Sequence, residues 1–394
     1  MPRQAEAKGL NRPLRVAMVA CEASGDTLGG GLLEALRCTP NEIDAFGMTG
    51  ERMRAAGCIS WHTIDEVSVM GVAEVLPHLP RLLRLRRQLA KRIVEAQPDV
   101  FVGIDSPDFN QPIAKIVKAA GIPAIQYVSP QVWAWRQSRV AGIRESIDKI
   151  LCVLPFEAEF FAEHGISADF VGHPLADAIP FSVDRNKARE SIGCNADGPV
   201  IAILPGSRGS EVSRLAPPFF ETAMWLSERR PDLRFVVALA NEKAENIVKQ
   251  ALQRQAIVPQ PMLIKGRARD VIAAADVVLT ASGTATLETL LLNRRMVVAH
   301  RMSPLTYWIV RRLGVSNLPN FSLPNLLAGR RVVPEFVQRQ VRADLLGPAI
   351  LDVLEGRRID PQWREIFTEI HQNLHRDANR AAAKSVLALV PGAT

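Results

Sequence analysis

Short apolar segments that have the character of buried strands recur along the chain and are separated by helical segments. Strands are predicted at 14–21, 99–105, 124–128, 150–154 and 170–171, and again at 199–204, 233–239, 262–264, 277–280 and 296–299. Near-continuous apolar strands alternating with helices are typical of a parallel sheet with both faces covered. The polar stretch 184–198 separates the two series. We therefore predict an α/β fold with two doubly wound, Rossmann-like domains, 1–185 and 186–360, facing across a cleft, and a helical tail, 361–394, packed on the first domain or on a partner subunit.

The loop after the first strand of the second series has the composition of an anion site. Gly206, Ser207 and Arg208 lie there, ahead of a helix predicted from about residue 217. Glycine permits a tight turn, and the free N–H groups at a helix start attract phosphate. Arg208 can bind a phosphate through two parallel hydrogen bonds. The alternative is a structural turn with a solvated arginine.

A second loop of small residues follows the strand at 277–280. Ser282, Gly283 and Thr284 offer hydroxyl and amide donors for a diphosphate, and Glu288 lies one helical turn beyond Thr284. A carboxylate there can accept hydrogen bonds from both ribose hydroxyls, although Glu288 could instead cap the helix start. Together the two loops predict that the second domain binds a nucleoside diphosphate.

Acidic residues end two strands of the first domain. Asp105 ends the apolar strand at 99–105, and Glu22 follows the first strand. Ligands of parallel sheets bind beyond the carboxyl ends of the strands, so Asp105 is the leading candidate for a general base, with Glu22 nearby. Asp108 is expected to cap the next helix. His173 either faces the same edge or is a hydrogen-bonded structural histidine.

Aromatic side chains are concentrated where the strand at 124–128 enters a loop. Tyr127, Trp133 and Trp135 fall within nine residues of a chain that has only 6 Trp and 2 Tyr, and Arg136 follows them. Large aromatic side chains at such a position suit sugar faces or apolar chains. The alternative is a buried aromatic cluster.

Residues 75–94 combine positive charge with a helical apolar pattern. Six basic residues and no acid occur there: Arg81, Arg84, Arg86, Arg87, Lys91 and Arg92. Leucines and an isoleucine interleave with them at spacings near three and four, which predicts a basic amphipathic helix. Such a helix can rest on an anionic membrane surface, with Arg84 and Arg87 as candidate lipid contacts. An ordinary surface helix with a cationic outer face is the alternative.

Composition narrows the classes of function. The formal net charge of +7 favours anionic partners. The 5 cysteines include no Cys-x-x-Cys pair, which indicates reduced thiols in a cytosolic protein. No apolar run is long enough to span a bilayer, so we expect any membrane contact to be peripheral. The chain lacks the motifs Gly-x-Gly-x-x-Gly and Asp-x-Asp and the histidine pairs of zinc sites, so we expect no nicotinamide cofactor and no metal. No nucleic-acid recognition motif is present.

In chain order, several motifs closely resemble those of lipid-A-disaccharide synthases. They are Ser24-Gly25-Asp26, the residues 103–110, the aromatic segment 127–136, the residues 204–208, Ser282-Gly283-Thr284, and the residues 323–329. The resemblance covers residues 14–335 and continues more loosely to the end. It implies the two-domain fold of nucleotide-sugar glycosyltransferases (GT-B type), with UDP held by the C-terminal domain.

The resemblance also implies a reaction and residue roles. The family joins UDP-2,3-diacylglucosamine to the 6-hydroxyl of 2,3-diacylglucosamine 1-phosphate, giving a β-1,6-linked tetraacyl disaccharide 1-phosphate and UDP, in the lipid A synthesis of Gram-negative bacteria. Arg208 would contact the diphosphate, Asn325 would line the nucleotide site, and Asp105 would be the base. The acceptor and its lipid chains would be bound by the segment Ser24-Gly25-Asp26 and by the aromatic segment. The basic helix, together with the aromatic segment, would face lipid and the inner face of the cytoplasmic membrane. The family is often dimeric through C-terminal exchange, so a homodimer is a possible assembly.

Two other classes of function remain open at this point. A UDP-sugar 2-epimerase would share the fold, but a soluble substrate does not require a basic amphipathic helix. A non-catalytic lipid- or nucleotide-binding module would tolerate the loss of Asp105.

Overall fold

The computed structural model describes residues 12–68, 75–132, 139–194, 198–255, 257–303, 307 and 320–393. The chain divides into two compact units. The first comprises Met1–Asp177 and Leu374–Thr394, and the second comprises Ala178–Asn373.

The first unit is built on a seven-stranded parallel sheet with the order β3-β2-β1-β4-β5-β6-β7. Its strands are β1 Leu14–Ala20, β2 Ile43–Thr49, β3 Ile59–Thr63, β4 Val100–Ile104, β5 Ala124–Tyr127, β6 Lys149–Cys152 and β7 Ala168–Phe170. Its helices are α1 Ala23–Arg37, α2 Glu51–Ala55, α3 Asp65–Ser68, α4 Val75–Ala96, α5 Pro107–Ala119, α6 Val140–Ser146, α7 Pro155–Glu163 and α8 Pro174–Ala178, together with the C-terminal helix α17 described below.

The second unit contains a six-stranded parallel sheet with the order β10-β9-β8-β11-β12-β13. The strands are β8 Val200–Leu204, β9 Arg234–Leu239, β10 Met262–Lys265, β11 Val277–Ala281, β12 Arg295–His300 and β13 Glu335–Val337. The helices are α9 Arg185–Ser191, α10 Gly209–Arg229, α11 Glu242–Leu252, α12 Ala268–Ala274, α13 Thr284–Leu291, α14 Leu323–Ala328, α15 Ala343–Leu354 and α16 Trp363–Leu374, with a 3₁₀ helix at Gln338–Gln340.

Central strands are apolar because helices cover both faces of each sheet. Every residue of β4, β8 and β11 is buried. The prediction of two parallel-sheet units followed by C-terminal helices is confirmed. Helix α10 begins at Gly209 rather than near residue 217, and Pro217 and Pro218 lie inside it. Proline is favoured at helix starts, and for this reason the sequence pattern placed the start too late.

The C-terminal helix α17, Ala378–Leu387, belongs to the first unit and packs on α1. A Cβ atom at Gly31 of α1 would lie 2.6 Å from the Asn379 side chain, so glycine favours the close approach of the two helices there. The Asp177 carboxylate accepts hydrogen bonds from the backbone N–H groups of Arg376, Asp377 and Ala378, at 2.9, 3.1 and 2.6 Å. These contacts cap α17 and fix the end of the chain to the first unit.

His173 lies at the same junction and makes unfolding sensitive to acid. Its backbone N–H donates to the Leu374 carbonyl at 2.9 Å, and its Nδ1 accepts from the Leu175 N–H at 3.1 Å. The neutral ring therefore carries its proton on Nε2. Burial lowers the pKa of His173 to about 4, although nearby Asp177 acts in the opposite direction. Protonation of Nδ1 would break the bond to Leu175.

The lowered pKa of His173 predicts a loss of stability in acid. The folded-state pKa lies below the unfolded value of about 6.5, so this group's contribution is complete above that pH and is lost as the pH falls towards about 4. We expect a contribution of at most about 3 kcal/mol to the free energy of unfolding, and a shallower pH dependence in His173→Gln. Urea unfolding across this pH range checks the prediction, with His164→Gln as the control. An unchanged slope in His173→Gln would contradict it.

Candidate active site

In both sheets the strand order reverses between two central neighbours, β1 and β4 in the first unit and β8 and β11 in the second. Open parallel sheets bind ligands beyond the carboxyl ends of their strands at such reversals. The loops at the reversal carry Glu22 and Asp105 in the first unit, and Arg208 and Ser282 in the second. The structure therefore brings the sequence-predicted residues to one reversal point in each unit.

Asp105 occupies a sharp turn between β4 and α5. It has a φ of 53° and Ser106 has a φ of 40°, both in the left-handed region that non-glycine residues rarely adopt. Each such residue costs about 1–3 kcal/mol and persists only where its surroundings hold it. The Ser24 hydroxyl lies 3.4 Å from Oδ2 of Asp105. The strained turn thus presents a half-buried carboxylate at the end of β4.

Two buried amide side chains hold this turn. Asn110 Nδ2 donates to the carbonyl oxygens of Asp105, Ile104 and Val19, at 2.9, 3.2 and 3.3 Å. Gln126 Nε2 donates to the Asp105 carbonyl at 3.0 Å. Both amides are essentially inaccessible to solvent. They are positioning residues that the sequence reading did not identify, although Asn110 stands in the motif that carried the family resemblance.

The segment from Glu22 to Asp26 opens α1 beside this turn. Glu22 is the N-cap residue, and Ala20 of β1 pairs with Ile104 of β4, which places the two strand ends side by side. Ser24 is exposed, whereas Gly25 is buried, and a Cβ on Gly25 would lie 3.3 Å from the Ile104 carbonyl. Of these residues, Ser24 and Glu22 are the ones whose side chains can approach a ligand.

Asp26 has a different environment from the rest of that segment. It is 3% exposed, and its carboxylate accepts from the backbone N–H groups of Gly50, Arg52 and Met53, at 2.8, 2.8 and 3.0 Å. These bonds hold the start of α2 against α1. The role of Asp26 at the acceptor site stays a prediction, and the geometry favours support of that site over direct contact.

Some of the residues predicted to face lipid lie outside the described part of the chain. Trp133, Trp135 and Arg136 lie outside them. Tyr127 ends β5 and is completely buried, so this aromatic side chain belongs to the core. In α4, Leu85, Leu89 and Ile93 are buried against the sheet, while Arg84 and Arg87 are exposed and Leu79 is 42% exposed.

In the second unit, the loop after β8 is shaped around a half-buried carboxylate, that of Glu211. Gly206 has a φ of 116°, and a Cβ there would collide with the Glu211 carboxylate. Glu211 Oε2 accepts from the Ser207 N–H at 3.3 Å, and burial raises the pKa of Glu211. Arg208 is exposed at the N-cap of the 21-residue helix α10. Its cation and the positive end of that helix therefore lie together.

The loop after β11 contains a serine–histidine pair. Ser282 Oγ lies 2.6 Å from Nδ1 of His300, which ends β12. Burial lowers the pKa of His300, and the neighbouring Arg214 lowers it further. Gly283 and Thr284 are exposed at the start of α13, with open space where a Gly283 side chain would stand. His300 was missed by the sequence analysis, since its only signal was its place at a strand end.

Glu288 and Asn325 already have protein partners. Glu288 Oε1 accepts from Arg269 Nε at 2.9 Å. Asn325 is fully buried, and its Oδ1 accepts from the N–H groups of Val332 and Val333, at 2.7 and 2.9 Å. These hydrogen bonds hold the segment after α14 in place and already occupy the Asn325 side chain. Contact of Asn325 with a nucleotide therefore stays a prediction.

Three further properties of the described residues concern metal ligands, thiols and membrane-spanning helices. Within them, no three His, Cys, Asp or Glu side chains are grouped so that they could hold a metal ion. All five cysteines are free, and burial raises the pKa of Cys21 and of Cys58 to about 12. No helix in the described part of the chain is both long and apolar enough to span a bilayer.

A family model described as lipid-A-disaccharide synthetase matches residues 16–388. The chain belongs to the lipid-A-disaccharide synthetase family. A lipid-A-disaccharide synthase of Alkalilimnicola ehrlichii is 48% identical over 381 residues, which cover 96% of this chain and 99% of that protein. The resemblance drawn from the motifs is confirmed, and this family member is a glycosyltransferase.

Solved structures show the fold of this synthetase family member more widely. The glycosyltransferase of kitacinnamycin matches with a TM-score of 0.62 at 17% identity, over 96% of this chain and 100% of that one. The UDP-GlcNAc 2-epimerase of Neisseria meningitidis, bound to UDP-GlcNAc, matches with a TM-score of 0.54 at 10% identity, over 95% and 98%. Transferases and epimerases thus share this fold, and the family match distinguishes between them.

Proposed function

We propose that this protein transfers 2,3-diacylglucosamine from UDP-2,3-diacylglucosamine to the 6-hydroxyl of 2,3-diacylglucosamine 1-phosphate, with inversion at the anomeric carbon. The observation that carries the proposal is the placement of Asp105 at the strand-order reversal of the first unit of a lipid-A-disaccharide synthetase family member. Its turn is strained and held by buried amides, an arrangement typical of a functional site.

In the proposed reaction, Asp105 takes the proton of the acceptor hydroxyl. The hydroxyl oxygen then bonds to the anomeric carbon as the bond from that carbon to the diphosphate oxygen breaks. Ser24, 3.4 Å from Asp105, orients the carboxylate. Glu22 is the alternative base, because it occupies the N-cap position of α1 at the adjacent strand end.

The second unit is proposed to hold the leaving UDP. Arg208 and the free N–H groups at the start of α10 stabilise the charge that develops on the diphosphate. The Ser282 to Thr284 turn supplies further donors, and Glu288 would accept from the ribose once its bond to Arg269 is rearranged. We expect the reaction to proceed in EDTA, because the sequence has no Asp-x-Asp motif for a metal-bridged diphosphate.

UDP release tests the proposed function. The assay uses UDP-2,3-diacylglucosamine as donor, with and without 2,3-diacylglucosamine 1-phosphate. Release that depends on the acceptor would support transfer. Donor turnover at the same rate without acceptor would instead indicate a hydrolase or an epimerase.

We also propose that α4 binds the inner face of the cytoplasmic membrane peripherally. Its exposed arginines and Leu79 form a cationic and partly apolar surface, while its C-terminal half is anchored in the core by Leu89 and Ile93. Attraction to anionic lipids and burial of apolar side chains both strengthen the binding of such a surface to a membrane. A water-soluble substrate would not require it.

Reversing two charges on this surface tests membrane binding. Each basic residue near an anionic surface contributes about 1 kcal/mol, so Arg84→Glu/Arg87→Glu should weaken binding to phosphatidylglycerol vesicles by more than about 30-fold. Vesicle co-sedimentation at low salt measures the change. The control is Arg342→Glu, which alters an exposed arginine of the second unit. Equal sedimentation of the double variant and the wild type would exclude α4 as the binding surface.

A further inference from the structure

A second positively charged region lies in the second unit, at the edge opposite the diphosphate loops. A cavity of about 390 Å³ opens beside the residues that precede β11 and β12 and the N-terminal turns of α9 and α16. Its wall is formed by Val183, Asp184, Arg185, Asn186, Ala275, Asp276, Asn293, Arg294, Arg295, Leu354, Trp363 and Arg364. Four of these twelve side chains are guanidinium groups, against two carboxylates.

The two inner arginines are held by carbonyl groups. Arg294 donates to the carbonyl oxygens of Ala273, Leu292, Asn293 and Val183, at 2.9–3.3 Å. Arg295 donates to the carbonyl oxygens of Val353 and Leu354, at 3.3 and 2.7 Å. Within the described residues, neither they nor Arg364 form an ion pair with a carboxylate. Neutral carbonyl groups hold Arg294 and Arg295, and the positive charge of these two side chains is offset only in part, by the more distant Asp276.

The carboxylates of the wall are already engaged. Asp276 pairs with both Arg185 and Arg189 and also accepts from the Val200 N–H at 2.7 Å. Asp184 caps α9 by accepting from the N–H groups of Asn186 and Lys187, at 2.8 and 3.2 Å. One shared aspartate cannot neutralise two arginines, so the cavity keeps an excess of positive charge.

The cluster is electrostatically costly without an anion. Burial lowers the pKa of both Arg294 and Arg295, and repulsion from neighbouring arginines, Arg364 and Arg185 among them, lowers it further, although Asp276 acts in the opposite direction. Like charges at short range disfavour one another, and an anion placed among them removes that cost. Guanidinium groups are also well suited to phosphate, because their planar N–H groups match its oxygens in pairs.

We propose that this cavity, formed by Arg185, Arg294, Arg295 and Arg364, binds a small phosphate monoester. The phosphate lies against the guanidinium groups, and Trp363 forms an apolar wall for the carbon skeleton. The site is separate from the diphosphate loops. Those loops follow the carboxyl ends of β8 and β11, whereas the cavity lies near the amino ends of the strands. The two places are about 15 Å apart, which is the length of one strand.

Binding of glycerol 3-phosphate to the full chain tests the proposal. Isothermal titration calorimetry gives the dissociation constant, and thermal unfolding at ionic strength matched with NaCl gives an independent readout. The outer arginines are the ones to change, since they are exposed: Arg185→Gln/Arg364→Gln should raise the dissociation constant about tenfold or more. Arg364→Lys keeps the charge but loses the paired hydrogen bonds, so it should raise the dissociation constant less than the double variant does, and it serves if the double variant does not fold.

A matched control separates this cavity from other basic surfaces. Arg254→Gln/Arg342→Gln removes the same charge as the test variant, from exposed arginines away from the cavity, and should bind normally. Equal binding by Arg185→Gln/Arg364→Gln and the wild type, or a thermal shift that NaCl reproduces, would overturn the proposal.

A third arm identifies the source of the phosphate. The soluble monoester is compared with vesicles that contain phosphatidic acid, using Arg185→Gln/Arg364→Gln in both cases. Loss of glycerol 3-phosphate binding alone indicates a soluble ligand, and loss of vesicle binding as well indicates that a lipid headgroup also reaches the site. If neither is lost, the cavity is not a phosphate site.

Discussion

Asp105→Asn lowers kcat by about 10²–10⁴-fold and leaves KM for both substrates close to the wild-type values. Asparagine has nearly the same shape and can keep the contact with Ser24, but its amide cannot take a proton. The substitution leaves the supporting bonds intact, because Asn110 and Gln126 contact the backbone carbonyl of Asp105 rather than its side chain. Steady-state kinetics and thermal unfolding together separate the loss of a base from the loss of fold.

The matched control for Asp105 is Glu22→Gln at the neighbouring strand end. If Asp105 is the base, the Glu22 variant loses much less activity than Asp105→Asn does. Full activity of Asp105→Asn would refute the assignment. The opposite pattern, with a large loss only in Glu22→Gln, would move the role of base to Glu22.

Arg208→Gln is expected to lower kcat by about 10²–10³-fold, because charge then develops on the diphosphate without a cation beside it. Arg208→Lys should recover part of this loss, since it restores the charge but not the paired hydrogen bonds. Affinity for UDP, measured by calorimetry, should fall in both variants. The control is Lys243→Gln, a cation whose side chain passes close to Gly209 without lying in the loop itself. Wild-type turnover by Arg208→Gln would contradict the placement of the diphosphate.

The sequence was most informative where both faces of an element are buried. The central strands β1, β4, β8 and β11 are nearly continuous apolar runs and were predicted within about two residues. By contrast, β2 and β3 were missed. Asp44 and Gly47 interrupt the first of these, and the second is a half-exposed edge strand that includes His62. Edge strands lack the continuous apolar signal because one side of them meets solvent.

The candidate site shows the same division. Loops with glycine, hydroxyl and charged residues after strands could be recognised locally, which led to Asp105, Arg208 and Ser282. The residues that hold these side chains in place could not be recognised, because they are far from them in the sequence. Gln126 reaches the Asp105 carbonyl across 21 residues, and His300 reaches Ser282 across 18. A single sequence contains no signal for such pairs.

The sequence left the placement of the C-terminal tail open between the first domain and a partner subunit. The helical tail was predictable from its composition, but its attachment depends on Asp177 and α17, which are separated by about 200 residues. The role of Gly31 in α1 is visible only once Asn379 of α17 is placed against it. Long-range packing of this kind decides which surfaces remain available to substrates.

The structure of the reaction product tests the central claim most directly. The enzyme is incubated with UDP-2,3-diacylglucosamine and 2,3-diacylglucosamine 1-phosphate, and the product is examined by mass spectrometry and by proton NMR of its anomeric centre. The account predicts a tetraacyl disaccharide 1-phosphate with a β-1,6 linkage, formed in step with UDP. A free diacylated sugar, an epimerised donor, or an α-linked disaccharide would contradict it.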